Sequence, residues 1–140
     1  MRILIDTHYV LWAALNPIAM KPWARTLLED LKNEILVSSA SIYEISLKVR
    51  IGKLPQAAEF EADLLRNIEE ILGFEILPLD PQSMYRAAKF ENQHADPFDR
   101  MIAAQAVHHN LPLLSVDSKL DAFGVRRIKK PVEPKSKGTR

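Results

Sequence analysis

Four acidic residues, Asp6, Glu44, Asp99 and Asp117, stand where an alternation of strands and helices would carry them to one edge of a sheet. Asp6 follows the apolar run Ile3-Leu4-Ile5, and Asp117 follows Leu113-Leu114-Ser115-Val116. Glu44 lies one turn beyond Ser41 in the helical pattern after Ile35-Leu36-Val37, and Asp99 lies in the first turn of a helix opened by Asp96-Pro97. In open parallel sheets, ligands bind outside the carboxyl ends of the strands. Carboxylates gathered there repel one another, so some stay protonated or a cation neutralises them. Oxygen donors without cysteine or a tight histidine cluster favour Mg²⁺ or Mn²⁺ over Zn²⁺. Such an ion polarises phosphodiesters and activates water, so the chemistry expected is metal-dependent phosphoryl chemistry.

Each acid but one also has a plainer reading. Asp96 is suited to cap a helix whose first position is Pro97, and Asp99 to close a capping box in the same turn. Asp117, before Ser118, is suited to cap a short helix, and Glu44 to pair with Lys48 one turn on. Asp6 follows a buried run with no helix pattern that calls for it, and the conjunction of acids carries more than any single one.

The elements that must position these residues are legible as alternating patterns. Strand-length apolar runs occur at 3–5, 35–37, 74–79 and 113–116, with a weaker fifth at 125–128. Runs without strict alternation suit strands buried on both faces. Between them lie helical stripes: Trp23, Leu27, Leu28 and Leu31; Ile42, Ile45 and Val49; Phe60, Leu64, Ile68, Ile71 and Leu72, stopped by Gly73; and Ala87, Ala88 and Phe90. A last stripe runs from Asp96 through Met101, Ile102 and Ala106. Strand and helix in alternation predict a parallel sheet with helices on both faces.

The chain has 140 residues, the size of one domain, with 47% apolar and 26% charged residues. It has no cysteine, which excludes disulfides, zinc–thiolate sites and thiol nucleophiles and suits a reducing, cytoplasmic compartment. No apolar run approaches the ~18 residues of a membrane span, and the N-terminus lacks the layout of a signal peptide. The formal charge of +1 hides an uneven distribution: residues 126–140 hold seven of the 19 basic residues against one acid, leaving the rest of the chain at −5. A basic end could add salt-sensitive attraction to a polyanion.

Read together, these residues resemble the PIN-domain ribonucleases, specifically the VapC-like toxins of toxin–antitoxin pairs. The resemblance covers roughly residues 2–128. It rests on Ile3-Leu4-Ile5-Asp6-Thr7-His8 with Trp12, on residues 37–45 and 48–54, on the block from His94 to Ala106, on Leu114-Ser115-Val116-Asp117, and on Phe123-Gly124-Val125. It implies a three-layer α/β domain over 1–128 with sheet order 3-2-1-4-5; residues 129–140 lie outside the match and by composition read as a flexible basic tail. It also implies that Asp6 and Asp99 are the main ligands of Mg²⁺ or Mn²⁺, with Asp117 and Glu44 completing the pocket directly or through water. Ser115 and Thr7 would support the ion or its water, and Asp96 would act as a cap behind them. The implied activity is endoribonuclease cleavage by metal-activated water. The implied partners are an RNA substrate, a cognate antitoxin that inserts a segment into the pocket, and a second copy of the chain.

Other residues divide between two readings. Arg100 could meet an RNA phosphate or make a helix-surface salt bridge. Arg50 and Lys53 could form a basic edge near the pocket or complement a helix end. His8, His94, His108 and His109 are not spaced as a metal cluster, and Trp12 and Trp23 suit core or dimer contacts. Two other functions compete: a PIN-fold binding module without catalysis, and a receiver-like phosphoacceptor domain. The second lacks the lysine such a domain needs straight after strand four, since none comes before Lys119.

Overall fold

A computed structural model describes residues 1–91 and 96–130; His94 and the tail from Pro131 onward lie outside the described residues. The four strands are β1 (Arg2–Ile5), β2 (Glu34–Ser38), β3 (Glu75–Leu77) and β4 (Leu113–Leu114). They form one parallel sheet in the order β3-β2-β1-β4, with Ile5 level with Val37 on one side and Leu114 on the other. The helices are α1 (Thr7–Leu15), α2 (Pro22–Glu29), α3 (Ser39–Arg50), α4 (Ala58–Ala62), α5 (Leu64–Arg66), α6 (Pro81–Lys89) and α7 (Pro97–His108).

Because side chains alternate across a strand, the unbroken apolar runs feed two cores. Ile3, Ile5, Ile35 and Val37 pack with Val10 of α1, Ile45 of α3 and Ile68. Leu4, Leu36 and Leu113 pack with Ile102, Ala103 and Ala106 of α7 and with Leu120 and Phe123. Ile5 is fully buried, and truncating it to Ala would cost about 2–5 kcal/mol. This double burial fixes the sheet between its layers and brings the end of β1 to the same edge as the end of β4.

Three expectations need correction. The fifth strand is reduced to a single bridge between Leu113 and Arg127, held by Leu113 N–H on the Arg126 carbonyl and Ile128 N–H on the Leu113 carbonyl. β4 is only two residues long, so it offers its outer neighbour almost no ladder. The stripe from Phe60 to Leu72 is not one helix. It breaks at Asp63, whose φ of −135° ends α4, and closes through a π turn at Asn67–Ile71. The Asn67 amide donates to the Phe60 carbonyl at 2.8 Å and holds the break, while Phe60, Leu64 and Ile68 all stay buried. Finally, α2 ends at Glu29, leaving Leu31 fully exposed beyond the stripe assigned to it.

Candidate active site

Two hydrogen-bonded sets grow from adjacent residues at the end of the central strand. The first is built on Asp6, which is 4% exposed. Its backbone N–H bonds the Leu114 carbonyl at 3.1 Å, so pairing with β4 continues one residue past β1. Its carboxylate accepts the Tyr9 N–H at 3.1 Å and caps α1. The helix requirement that the sequence did not reveal is therefore present. Burial pushes the Asp6 carboxyl above the ordinary carboxylate range; the Ser115 hydroxyl, the Tyr9 N–H and the nearby His8 work against this, and Glu44 adds to it. Ser115, itself 3% exposed, also accepts the Asp117 N–H at 3.1 Å.

The second set starts at Thr7. Its hydroxyl donates to Glu44 Oε1 at 2.7 Å and lies 2.8 Å from Ser41 Oγ. Thr7 has one proton to give, so Ser41 is the donor to Thr7. Glu44 is 5% exposed and its other oxygen accepts from Lys48 Nζ at 2.6 Å. The predicted Glu44–Lys48 pair exists, but the carboxylate end is buried in the fold instead of lying on a solvated face.

The remaining acids arrive as helix caps. Asp96 accepts the N–H groups of Phe98 and Asp99 at 2.8 and 3.2 Å and opens α7, with Pro97 first and Asp99 in the first turn. That turn abuts α3, where the Tyr43 and Phe98 rings lie 5.8 Å apart, bringing the residues after them, Glu44 and Asp99, onto neighbouring turns. Asp117 accepts the Lys119 N–H at 2.9 Å and caps the 3-10 turn Ser118–Phe123. Asp96, Asp99 and Asp117 are all half-buried. Among the described residues, no three Asp, Glu or His side chains lie close enough together to grip one ion by themselves.

Arg100 is not aimed at solvent. Its guanidinium donates to the Ala87 and Phe90 carbonyls at 3.1 and 2.7 Å and lies over the Phe90 and Phe123 rings. Those two bonds satisfy carbonyls at the end of α6. Arg50 is exposed in the last turn of α3, and Lys53 follows in the turn after it.

One residue with a place at this edge escaped sequence reasoning, which counted it with the basic tail. Arg127 donates to both carboxylate oxygens of Asp121, at 2.9 and 3.3 Å, and to the Ser115 carbonyl at 3.3 Å. Its side chain is only 16% exposed, and its charge is felt by Tyr9 and Asp117. The signal available was its position in the weak fifth run, which places it beside β4.

The fold is shared with solved FitAB and VapBC2 structures. The FitAcB structure from Neisseria gonorrhoeae is 23% identical with a TM-score of 0.60, covering 91% of this chain and 97% of the matched one. FitAB bound to an IR36 DNA fragment gives 20%, 0.62, 96% and 99% on the same measures. VapBC2 from Rickettsia felis, bound to a promoter DNA fragment, gives 18%, 0.63, 88% and 93%. At these identities the likeness is one of fold. No curated protein gives a significant match. The family model of the PIN domain matches residues 3–125, nearly the whole described fold with all four acids inside it, and the chain belongs to that family.

Proposed function

We propose that this chain is a metal-dependent endoribonuclease toxin, cytoplasmic and neutralised by a cognate antitoxin. The observation that carries the reading is Asp6: a buried carboxylate with raised proton affinity and no ion-pair partner among the described residues, at the carboxyl end of the central strand. Burying an acid this way is costly unless something binds it. The donors this reading assigns to the ion, on Asp6, Ser115, Glu44, Asp99 and Asp117, are all oxygen, which fits Mg²⁺ or Mn²⁺. Mg²⁺ keeps several waters and needs only one or two carboxylates, so a cluster of three is not required. Asp6 and Asp99 would hold the ion, with Asp117 and Glu44 completing the pocket. When bound, the cation supplies Lewis acidity toward a phosphodiester and lowers the pKa of water.

The chain's own residues do the rest. Ser115 orients the Asp6 carboxylate while fixing the backbone of Asp117. Thr7, held by Ser41, keeps Glu44 in one rotamer, and Lys48 offsets the charge of Glu44. Water attacks phosphorus, one P–O ester bond breaks, the water's proton passes to a half-buried carboxylate of Asp99 or Asp117, and solvent protonates the departing oxygen. The neighbours solved as FitAB and VapBC2 assemblies support an antitoxin partner, and the reading adds a second copy of the chain. Residues 1–128 would form the catalytic domain and 129–140 a basic tail.

A PIN-fold binding module without catalysis has one observation in its favour, the separation of the described acids noted above. RNA cleavage with Mn²⁺ against an EDTA control decides between them. The nuclease reading expects metal-dependent cleavage that Asp6→Asn and Asp99→Asn both abolish. Absence of cleavage by the wild type would favour the binding module.

A further inference from the structure

Thr7 and Glu44 also line a cleft of about 600 Å³ between α1, α3 and the turn that follows α3. Its apolar lining includes Leu11, Ile45, Leu54 and the indole of Trp12, which pack with the core beneath. That ring is fixed by an edge-on contact with Tyr9 at 5.2 Å and a tilted one with His8 at 6.0 Å. Around this lining stand the amides of Asn16 and Gln56, the ammonium of Lys53 and the ring of His8. None of these four side chains makes a hydrogen bond or ion pair among the described residues. An apolar lining with a few convergent, uncommitted polar groups has the composition of a ligand site, and the volume falls within the range of small-molecule pockets.

Charge narrows the occupant. The body of the chain is acidic, yet the side chains able to carry charge here are His8, Lys48, Lys53 and Glu44, and Glu44 is buried and already paired with Lys48. The accessible charge is positive, so the occupant is an anion with a flat apolar part. Planar amides pair with the donor and acceptor edges of a base, an indole gives it a stacking face, and a lysine takes a phosphate as a point charge.

We infer that this cleft holds one unpaired nucleotide of a single-stranded RNA, its base over Trp12, its edge against Asn16 and Gln56, and its phosphate on Lys53. The inference rests on the nuclease reading above and extends it: Glu44 and Thr7 border both sites, so the held nucleotide flanks the phosphate to be cut. The specificity it confers is for unpaired over duplex RNA.

The test uses the full chain carrying Trp23→Phe, which leaves Trp12 as the single tryptophan. A 12-nucleotide single-stranded RNA with a 3′ dye is titrated in EDTA, following dye anisotropy and Trp12 fluorescence together. Saturable quenching of Trp12 at the anisotropy midpoint is expected. Lys53→Gln weakens binding about fivefold and Asn16→Ala/Gln56→Ala about tenfold. With Mn²⁺, KM rises by the same factors while kcat stays within about twofold. Binding that leaves Trp12 unmoved, or variants that bind as the parent does, would overturn the inference. So would a Trp12 signal that responds to protein concentration and not to RNA, because a second protein chain would then cover the cleft. Cleavage with an unchanged KM in the variants sinks the nucleotide site and leaves the nuclease standing. Quenching without cleavage does the reverse.

Discussion

Asp6 and Asp80 are the same residue in the same local setting. Each follows a strand, and each caps the helix after it, Asp6 through the Tyr9 N–H and Asp80 through the Ser83 N–H. Their surroundings differ in kind. Asp80 also accepts the Ser83 hydroxyl at 2.6 Å and faces His109 at 2.8 Å and His108 at 3.6 Å across the end of α7. Partial burial pushes the Asp80 carboxyl up, but the bonds from Ser83 and His109 outweigh it and hold the group far below the usual carboxylate range. Asp6 is buried more deeply, has fewer donors, and is pushed the other way. One acid is saturated by the fold and fastens α6 to α7; the other is left with unspent acceptor capacity. A helix cap does not exclude a chemical role: the remaining partners separate the two.

The largest expected effect breaks this contrast at Asp6. Asp6→Asn removes several kcal/mol of charge stabilisation, so RNA cleavage with Mn²⁺ falls on the order of 10³-fold. Stability moves the opposite way. A carboxyl with raised proton affinity in the fold favours folding below its unfolded value of about 3.9, and that contribution is lost as pH rises through the higher folded value. At neutral pH an amide avoids the cost and still caps α1, so Tm rises by about 4 °C, the shift that about 1 kcal/mol gives in a domain of this size. Melting curves at pH 7.5 read this directly, and a fall in Tm would show that Asp6 is a structural acid like Asp80.

Next in size is Ser115→Ala, which removes one of the few donors to Asp6. Cleavage should fall about 10- to 100-fold, the usual cost of losing a group that orients a ligand, with little change in the melting curve. At the Glu44 pair, Lys48→Met leaves a buried carboxylate without its cation, whereas Glu44→Gln leaves none. In denaturant titrations the first should cost about 1–2 kcal/mol, reduced from the fully buried case by the exposure of Lys48, and the second less. The smallest effect on activity belongs to Asp80→Ala, for which kcat/KM stays within about twofold. Its cap and hydroxyl bond are lost, costing about 1–2 kcal/mol at pH 7. A depressed carboxyl contributes stability above its unfolded value and loses it as pH falls toward the folded one, so the gap between Asp80→Ala and wild type narrows below about pH 4.

Much of the fold is written in local pattern. The apolar runs predict the four strands because β1, β2 and β4 are buried on both faces and β3 is half-buried at the sheet edge, and Asp96-Pro97 predicts the start of α7 because capping is decided within one turn. Contacts distant in sequence leave weaker traces. Asp6 conceals its cap because α1 is apolar almost all round, so no stripe announces a helix after it. The break at Asp63 depends on an amide reaching from Asn67 to the Phe60 carbonyl, and the missing fifth strand on the brevity of β4. At the site, the four acids were legible as residue types in order. What Arg100 and Arg127 meet was not, since a sequence shows that a guanidinium is present and not which carbonyls it will cover.

The place of β1 in the sheet bears on when the site comes into being. It is the first strand of the sequence and lies in the middle of the sheet, between β2 and a β4 contributed by the far end of the chain. Asp6 is therefore made well before Ser115, which orients it, and Arg127, which braces Ser115. Until those residues have emerged and docked, the acid has neither its burial nor its hydroxyl partner, and long-range pairing of this kind closes late in folding. A partial chain carries the carboxylate without the environment that tunes it. For a ribonuclease of the kind proposed, competence would then follow synthesis of residues 113–127, and fragments ending before residue 113 would be harmless to the RNA around them.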